Sequence, residues 1–264
     1  MRLRLTLQNE RFARLPIDHY HLLRATLFHQ LRLSDAEFAR ELHDTGFGDG
    51  SDTGRRYKLF TFSGLRVPRP ARPRLLGDRM ELAPGPVHWF IASPKDDTLR
   101  HAVTGLLEAQ GGVRIGDNMF TLTAMEALPD PVFTEKMAFT CLTPVVAAVA
   151  SETHQTARYL RPSDGAELSE AVRRNAVRKY RALHGAEPAR TDLSLSLSAE
   201  YLARASHGCT KKVTIPGSGG VIDVIGTFAP LTLSGSPELM KIAYECGLGE
   251  KNGSGMGMIE VDNG

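Results

Sequence analysis

Gly247-Leu248-Gly249-Glu250-Lys251-Asn252-Gly253-Ser254-Gly255-Met256-Gly257 sets two Gly-apolar-Gly triplets five residues apart. Ser236-Pro237 opens a helix-forming run through Cys246 before it, and Met256–Val261 reads as a strand after it. Glycine tolerates positive φ and lets backbone approach another surface, which suits N–H donation to phosphate. Dinucleotide and Walker loops run from strand to helix, whereas this one runs from helix to strand and lacks Gly-Lys-Ser/Thr. No nucleotide cofactor is expected.

Upstream, the same helix-to-strand logic repeats. Residues 1–8 alternate with Leu3, Leu5 and Leu7 on one face and Arg2, Arg4 and Thr6 on the other, a strand pattern. After Pro16, Leu22, Leu23, Leu27 and Leu31 recur at helical spacing, and Ser34-Asp35-Ala36-Glu37 has capping-box spacing for a short helix ending near His43. Strands are predicted at Tyr57–Phe62 and Val87–Ala92, with the Pro/Arg stretch Val67–Arg74 as a loop between them. Ser93-Pro94 opens a helix stopped by Gly111-Gly112, and Val113 to about Leu128 reads as a strand.

After Pro129-Asp130-Pro131 the pattern resumes: Phe133–Thr143 extended, Glu167–His184 a basic helix ended by Gly185, then extended segments at Leu193–Leu197, Lys211–Ile215 and Val221–Leu233. The element order β-α-β-β-α-β, met twice, predicts an α+β chain of two tandem ferredoxin-like (RRM-like) domains, 1–130 and 131–264. A doubly wound sheet would need a helix after every strand.

The 264 residues are 42% hydrophobic and 23% charged, a globular composition. No apolar run approaches the ~18 residues of a membrane span, and the alternating N-terminus does not read as a secretory leader, so a cytoplasmic protein without membrane contact is expected. Cys141, Cys209 and Cys246 lie far apart, which argues against a disulfide framework or a zinc ribbon. The net charge of +2 hides a strong asymmetry, for residues 55–79 hold eight basic side chains against Asp78 alone. Arginine outnumbers lysine 24 to 8, and its fork suits phosphate and base stacking.

The glycine segment, placed between the last helix and last strand of such a chain, resembles the signature of the repeat-associated (RAMP) superfamily. More narrowly, the chain resembles the CRISPR-associated endoribonuclease that cuts precursor CRISPR RNA within its repeats. Leu15-Pro16-Ile17-Asp18-His19-Tyr20 leads into a helix as in that family. The segment Phe38…Leu42-His43-Asp44-Thr45-Gly46-Phe47 is similar to its histidine-bearing turn, and Arg56–Ser63 to the strand that follows. The resemblance implies a metal-independent enzyme with His43 and Lys58 as catalytic residues and no cofactor. It also implies precursor or repeat RNA as partner, with other proteins of an interference complex and a homodimer left open.

RNA carries its own nucleophile in the 2′-hydroxyl, so histidine for proton transfer and lysine for charge stabilisation suffice. His43 at a helix C-terminus leans toward a general acid. The family's helix tyrosine falls on Phe28, which cannot transfer a proton, and His29 beside it is the expected partner, with His21 in reserve. His19 and His21 lack a third metal ligand. Asp49–Asp52 reads as a turn, His88, His101, His154, His184 and His207 as structural or surface groups, and Cys246 as core. Expected RNA contacts are Arg55, Arg56, Arg66, Arg69, Arg72 and Arg74; Arg174, Arg178 and Arg181 on one helix face; Lys211 and Lys212 of a basic hairpin; and Gly247, Gly249, Lys251, Gly255 and Gly257 of the loop. A non-cutting RNA-binding subunit of an interference complex is the rival reading.

Overall fold

The computed structural model describes residues 1–50, 54–109, 112–150, 157–205, 208–217 and 220–262. Ser51, Asp52, Gly111, His154 and His207, read above as turn, breaker or surface positions, lie outside the described residues.

Strand Arg2–Asn9 buries Leu3, Leu5 and Leu7, as its alternation predicts. It runs antiparallel between Gly85–Ala92 and Asn118–Leu128. The full sheet order is Thr61–Phe62, Gly85–Ala92, Arg2–Asn9, Asn118–Leu128, Val113–Ile115. Helix α1 (Tyr20–Ser34) follows the central strand, with α2 (Ala36–Asp44) directly after it, and α3 (Asp96–Glu108) precedes the last hairpin. α1 and α3 touch closely, because a Cβ on Gly105 would lie 1.9 Å from the Gln30 carbonyl oxygen.

The second sheet repeats the order: Leu193–Leu197, Leu231–Gly235, Lys136–Cys141, Ile259–Val261. Helix α4 (Gly165–His184) follows its first strand, the short α5 (Ala199–Arg204) follows Leu193–Leu197, and α6 (Pro237–Cys246) precedes its last strand. In each sheet the first strand lies between the third and fourth, which is the ferredoxin-like arrangement, so the chain is a tandem of two such units. Each has its own apolar core, one around Leu5, Leu27 and Trp89, the other around Phe139, Leu233 and Leu239.

The units are joined by a residue that alternation assigns to an outer face. Arg2 is 1% exposed; its Nη2 donates to the carbonyls of Tyr244 (3.1 Å) and Ile259 (2.7 Å), and its guanidinium lies 3.7 Å over the Tyr244 ring. A buried cation is tolerated where carbonyls and an aromatic face replace its water.

Several local expectations are corrected. Tyr57–Phe62 is not one strand: Arg56–Tyr57 pairs with Phe47–Gly48, Leu59 takes φ 51°, and only Thr61–Phe62 joins the main sheet. Val113–Leu128 is a hairpin turning at Gly116, and Arg74, assigned to a loop, begins strand Arg74–Leu76. Asp35, not Ser34, caps α2, accepting from the N–H groups of Glu37 and Phe38. Lys95 rather than Ser93 is the N-cap of α3. Val221–Leu233 splits in two: Gly220–Thr227 pairs with Thr210–Gly217 in a hairpin outside the second sheet, and Leu231–Gly235 belongs to that sheet. Its Val213, Ile215 and Val224 enter the core of the N-terminal unit, because an isolated two-stranded ribbon must bury its apolar face elsewhere. No helix among the described residues is long and apolar enough to cross a membrane.

Candidate active site

α2 carries His43 in its last turn. Leu42 and Ala39 are buried, which leaves His43 about half exposed, with 53% of its side-chain surface accessible. The helix ends at Gly46 (φ +63°), where a Cβ would meet the Tyr57 carbonyl oxygen at 2.7 Å and Lys58 Cδ at 3.3 Å. That contact requires glycine and brings the 57–58 segment across the helix end. His43 Nδ1 lies 2.8 Å from Asp44 Oδ1. A carboxylate only accepts, so Nδ1 carries the proton and donates, and Nε2 is left as the reactive nitrogen.

Lys58 reaches the same turn from the other side. Its Nζ donates to the His43 carbonyl oxygen, and its Cγ would lie 3.0 Å from a Cβ on Gly253. The left-handed Leu59 that follows is 2% exposed, and its carbonyl accepts from Ser93 Oγ at 2.8 Å. A branched residue at positive φ costs about 1 kcal/mol or more, and burial of the Leu59 side chain together with that hydrogen bond holds it there. Burial and the neighbouring Arg24 charge lower the Lys58 ammonium below the usual lysine range, against the pull of Asp44.

α1 contributes two residues one turn apart. Arg24 Nη2 lies 3.3 Å from His43 Nε2, and Phe28 sits edge-on to the His43 ring at 5.1 Å between centroids. His29, one position further round α1, is exposed, with Nδ1 3.5 Å from Arg32 Nη2. His21 donates from Nδ1 to the Asp18 carbonyl (3.1 Å) and lines a separate cleft with Lys211 and Lys212. The structure therefore brings His43 and Lys58 together; His29 points about 100° round α1 from Phe28, and His21, on a similar face, lies two turns or roughly 10 Å back along the helix. His19 is buried, faces the carbonyls of Pro16 and Ile17 through Nδ1, and accepts the Leu65 N–H through Nε2. Both ring nitrogens are occupied by backbone, and burial pushes its pKa down to about 4.

Arg24, Phe28 and Lys58 line a cleft of about 370 Å³ whose far wall is Lys179, Asn252 and Gly253. Through Arg55, Asn175 and Glu250 it meets a second hollow of about 550 Å³ that includes Arg174 and Arg178. Arg55 faces Glu250 at 3.7 Å and Arg174 faces Glu170 at 3.7 Å. Arg56 lies against Gly48, and Lys251 is exposed at the loop tip. The result is a cationic groove from the His43 turn to α4. Lys211 and Lys212 form a different patch on the hairpin, paired with Asp18 (3.8 Å) and Asp223 (2.9 Å).

The glycine segment differs from the open phosphate cradle expected of it. Gly247, Gly249, Gly255 and Gly257 are buried. An added Cβ would strike Asn252 Nδ2 at 2.5 Å, the Val146 carbonyl oxygen at 2.3 Å, Phe62 Cε2 at 2.5 Å and the Leu248 carbonyl oxygen at 2.0 Å respectively. The N–H groups of Gly255 and Gly257 already donate to Asn252 and Pro144. These glycines wedge the loop between the two units, and Lys251 is the part turned to solvent.

Lys179, which sequence reasoning counted only as charge on a basic helix, is 2% exposed and donates to the carbonyls of Gly247 (2.6 Å) and Gly249 (2.7 Å). Burial pushes it down to about 8 and pushes its neighbour Cys246 up to about 12. Its spacing was a usable signal, since Leu168, Val172, Asn175 and Lys179 follow the inward helical stripe. Arg24 was likewise visible as the residue one turn before Phe28.

Comparisons with known proteins bear on the family and the fold. The family model of CRISPR-associated protein Cas6, N-terminal, matches residues 14–126, and that of CRISPR associated protein Cas6, C-terminal, matches residues 128–261. The CRISPR-associated endoribonuclease Cas6 1 of Methanocaldococcus jannaschii is 24% identical over 261 residues, covering 98% of this chain and 92% of that protein. The CRISPR-associated endoribonuclease Cas6 of Pyrococcus furiosus is 23% identical over 254 residues, covering 96% and 86%. Among solved structures, that of a Cas6-related gene from Pyrococcus furiosus superposes with a TM-score of 0.79 at 18% identity, covering 100% of this chain and 98% of the other. A RAMP protein described as binding different RNA substrates gives 0.78 at 20% identity, covering 100% of both chains.

Proposed function

The chain belongs to the Cas6 family of CRISPR-associated proteins, and from that premise we propose that it is a metal-independent endoribonuclease that cuts CRISPR repeat RNA. The observation that carries this reading is the junction of His43 and Lys58 at one turn beside a cationic groove. Phosphates of the RNA lie along Arg55, Arg56, Arg174, Arg178 and Lys251, and the stem rests on Lys211 and Lys212 of the hairpin. No cofactor takes part.

The 2′-hydroxyl next to the scissile phosphate attacks phosphorus in line with the departing 5′-oxygen. His43 Nε2 takes the 2′-proton, and the imidazolium so formed is held by Asp44 at Nδ1 and by the C-terminal end of α2. This assigns the general base to His43, because Nδ1 is committed to the carboxylate and Nε2 accepts from Arg24 in the free protein. Lys58, with its lowered proton affinity, gives a proton to the leaving 5′-oxygen. It takes the second role in preference to His29 or His21, because Lys58 bonds to the His43 turn whereas His29 meets Arg32 and His21 the Asp18 carbonyl. The products are a 2′,3′-cyclic phosphate and a 5′-hydroxyl.

The test is single-turnover cleavage of the cognate repeat in excess EDTA, with end analysis, for wild type and His43→Ala. Cleavage that EDTA abolishes, or a His43→Ala variant cutting at the native rate, would refute the mechanism. Tight binding of the repeat without any cutting would instead favour a non-catalytic RNA-binding subunit.

A further inference from the structure

Arg24 is half-buried, its Nε is buried without a partner, and it makes no ion pair with a carboxylate among the described residues. Arg55 and Arg174, on the same groove, each face one. Its guanidinium lies 5.6 Å over the Phe28 ring, burial lowers its proton affinity, and its charge in turn lowers that of Lys58. A partly desolvated cation with no counter-ion is costly in the free protein, and that cost is relieved when an anion arrives. Arg24 sits on His43 Nε2, the nitrogen the mechanism needs free, while Lys58 holds the backbone carbonyl of the same residue.

We propose that Arg24 is a catalytic residue that binds the scissile phosphate and switches its hydrogen bond from His43 Nε2 to a non-bridging phosphate oxygen. The inference rests on the endoribonuclease reading above. In the free protein the Arg24 Nη2–H caps the Nε2 lone pair. When the phosphate docks, the fork turns to its oxygens and the lone pair becomes available to the 2′-hydroxyl. The 2′-oxygen–phosphorus bond forms as the phosphorus–5′-oxygen bond breaks, the 2′-proton goes to Nε2, the 5′-oxygen takes a proton from Lys58, and Arg24 keeps all of its protons. Charge on the non-bridging oxygens grows toward the transition state, so the fork stabilises that state more than the bound substrate. Three charged groups face His43: Asp44 on α2, Arg24 on α1 and Lys58 on the crossing segment.

The experiment compares wild type, Arg24→Met and Arg24→Lys in single-turnover cleavage across pH, with affinity measured on repeat RNA carrying a 2′-deoxy residue at the cut. Arg24→Met is expected to slow cleavage by ~10²–10³-fold with affinity within tenfold, as loss of one transition-state donor does. Arg24→Lys, which keeps the charge but loses the fork, is expected to remain at least ~10-fold slow. A phosphorothioate at one non-bridging oxygen, harmful to wild type, loses its effect in both variants. Arg24→Met cutting within threefold of wild type, or a rate loss matched by an equal loss of affinity, would overturn the proposal. If Arg24→Met melts early, wild-type cleavage by Arg24→Lys overturns it as well. Failure of wild type to cut the repeat would sink the endoribonuclease reading itself.

Discussion

Lys179 on α4 ties down Gly247 at the start of the glycine loop through a 2.6 Å hydrogen bond from Nζ to the carbonyl oxygen, and the same ammonium holds Gly249. Removing it with Lys179→Met leaves two buried carbonyls unpaired, at about 1–3 kcal/mol each. Thermal melting is expected to fall accordingly, and cleavage with it, because Asn252 and Gly253 wall the cleft. Burial lowers the folded-state value from 10.5 to about 8, so between those limits the unfolded chain binds more protons. The contribution of Lys179 to stability therefore rises as pH climbs from 8 toward 10.5. The melting gap between wild type and Lys179→Met is expected to widen over that window, and a gap that narrows would refute this.

Asp44 holds His43 in the Nδ1–H tautomer. Asp44→Asn offers that nitrogen either a donor or a weaker acceptor, and cleavage is expected to drop by ~10–10²-fold. His43→Ala is expected to cost ~10²–10⁴-fold with RNA affinity little changed. His29→Ala is expected to cut near the native rate, and a large loss there would return His29 to the mechanism.

His19 gives the fold an acid sensitivity. Its folded value of about 4 against 6.5 means the unfolded chain binds the extra proton between those pH values. Stability is fully present above 6.5 and is lost as pH falls toward 4, by roughly 3 kcal/mol if this group acts alone. Chemical denaturation at pH 7 and pH 4.5 measures it, and His19→Asn should flatten the dependence.

Gly257 and Gly77 both take positive φ, but a Cβ on Gly257 would lie 2.0 Å from the Leu248 carbonyl oxygen while Gly77 has open space around it. Gly77→Ala is expected to cost about 1 kcal/mol from backbone strain alone. Gly257→Ala is expected to cost several-fold more, since the loop must move. Equal melting temperatures for the two would contradict the wedged loop.

If six phosphates are neutralised along the groove and hairpin, log affinity falls with log salt at a slope of about −4 to −5. Arg174→Ala and Arg178→Ala are each expected to reduce the slope by about 1. Titrations between low and moderate salt check this, and a salt-independent complex would exclude phosphate tracking.

Much of this protein was legible from its residues. Leu3, Leu5 and Leu7 defined a half-buried strand, Leu23, Leu27 and Leu31 a helix face, and the doubled element order a tandem of two units, because periods of 2 and 3.6 are local properties of the chain. That His43 and Lys58 meet at one turn was legible through the resemblance. The glycine loop was legible as a special segment, but its role as a wedge was not, because a glycine that faces a ligand and one that admits a neighbouring backbone look alike in sequence. Only the tertiary structure decided that Arg24, not His29, faces His43, that Lys179 is a buried pin within a basic helix, and that the hairpin belongs to the N-terminal core. Each depends on which surfaces meet across long separations, and no local pattern encodes a contact between residues nineteen or seventy positions apart.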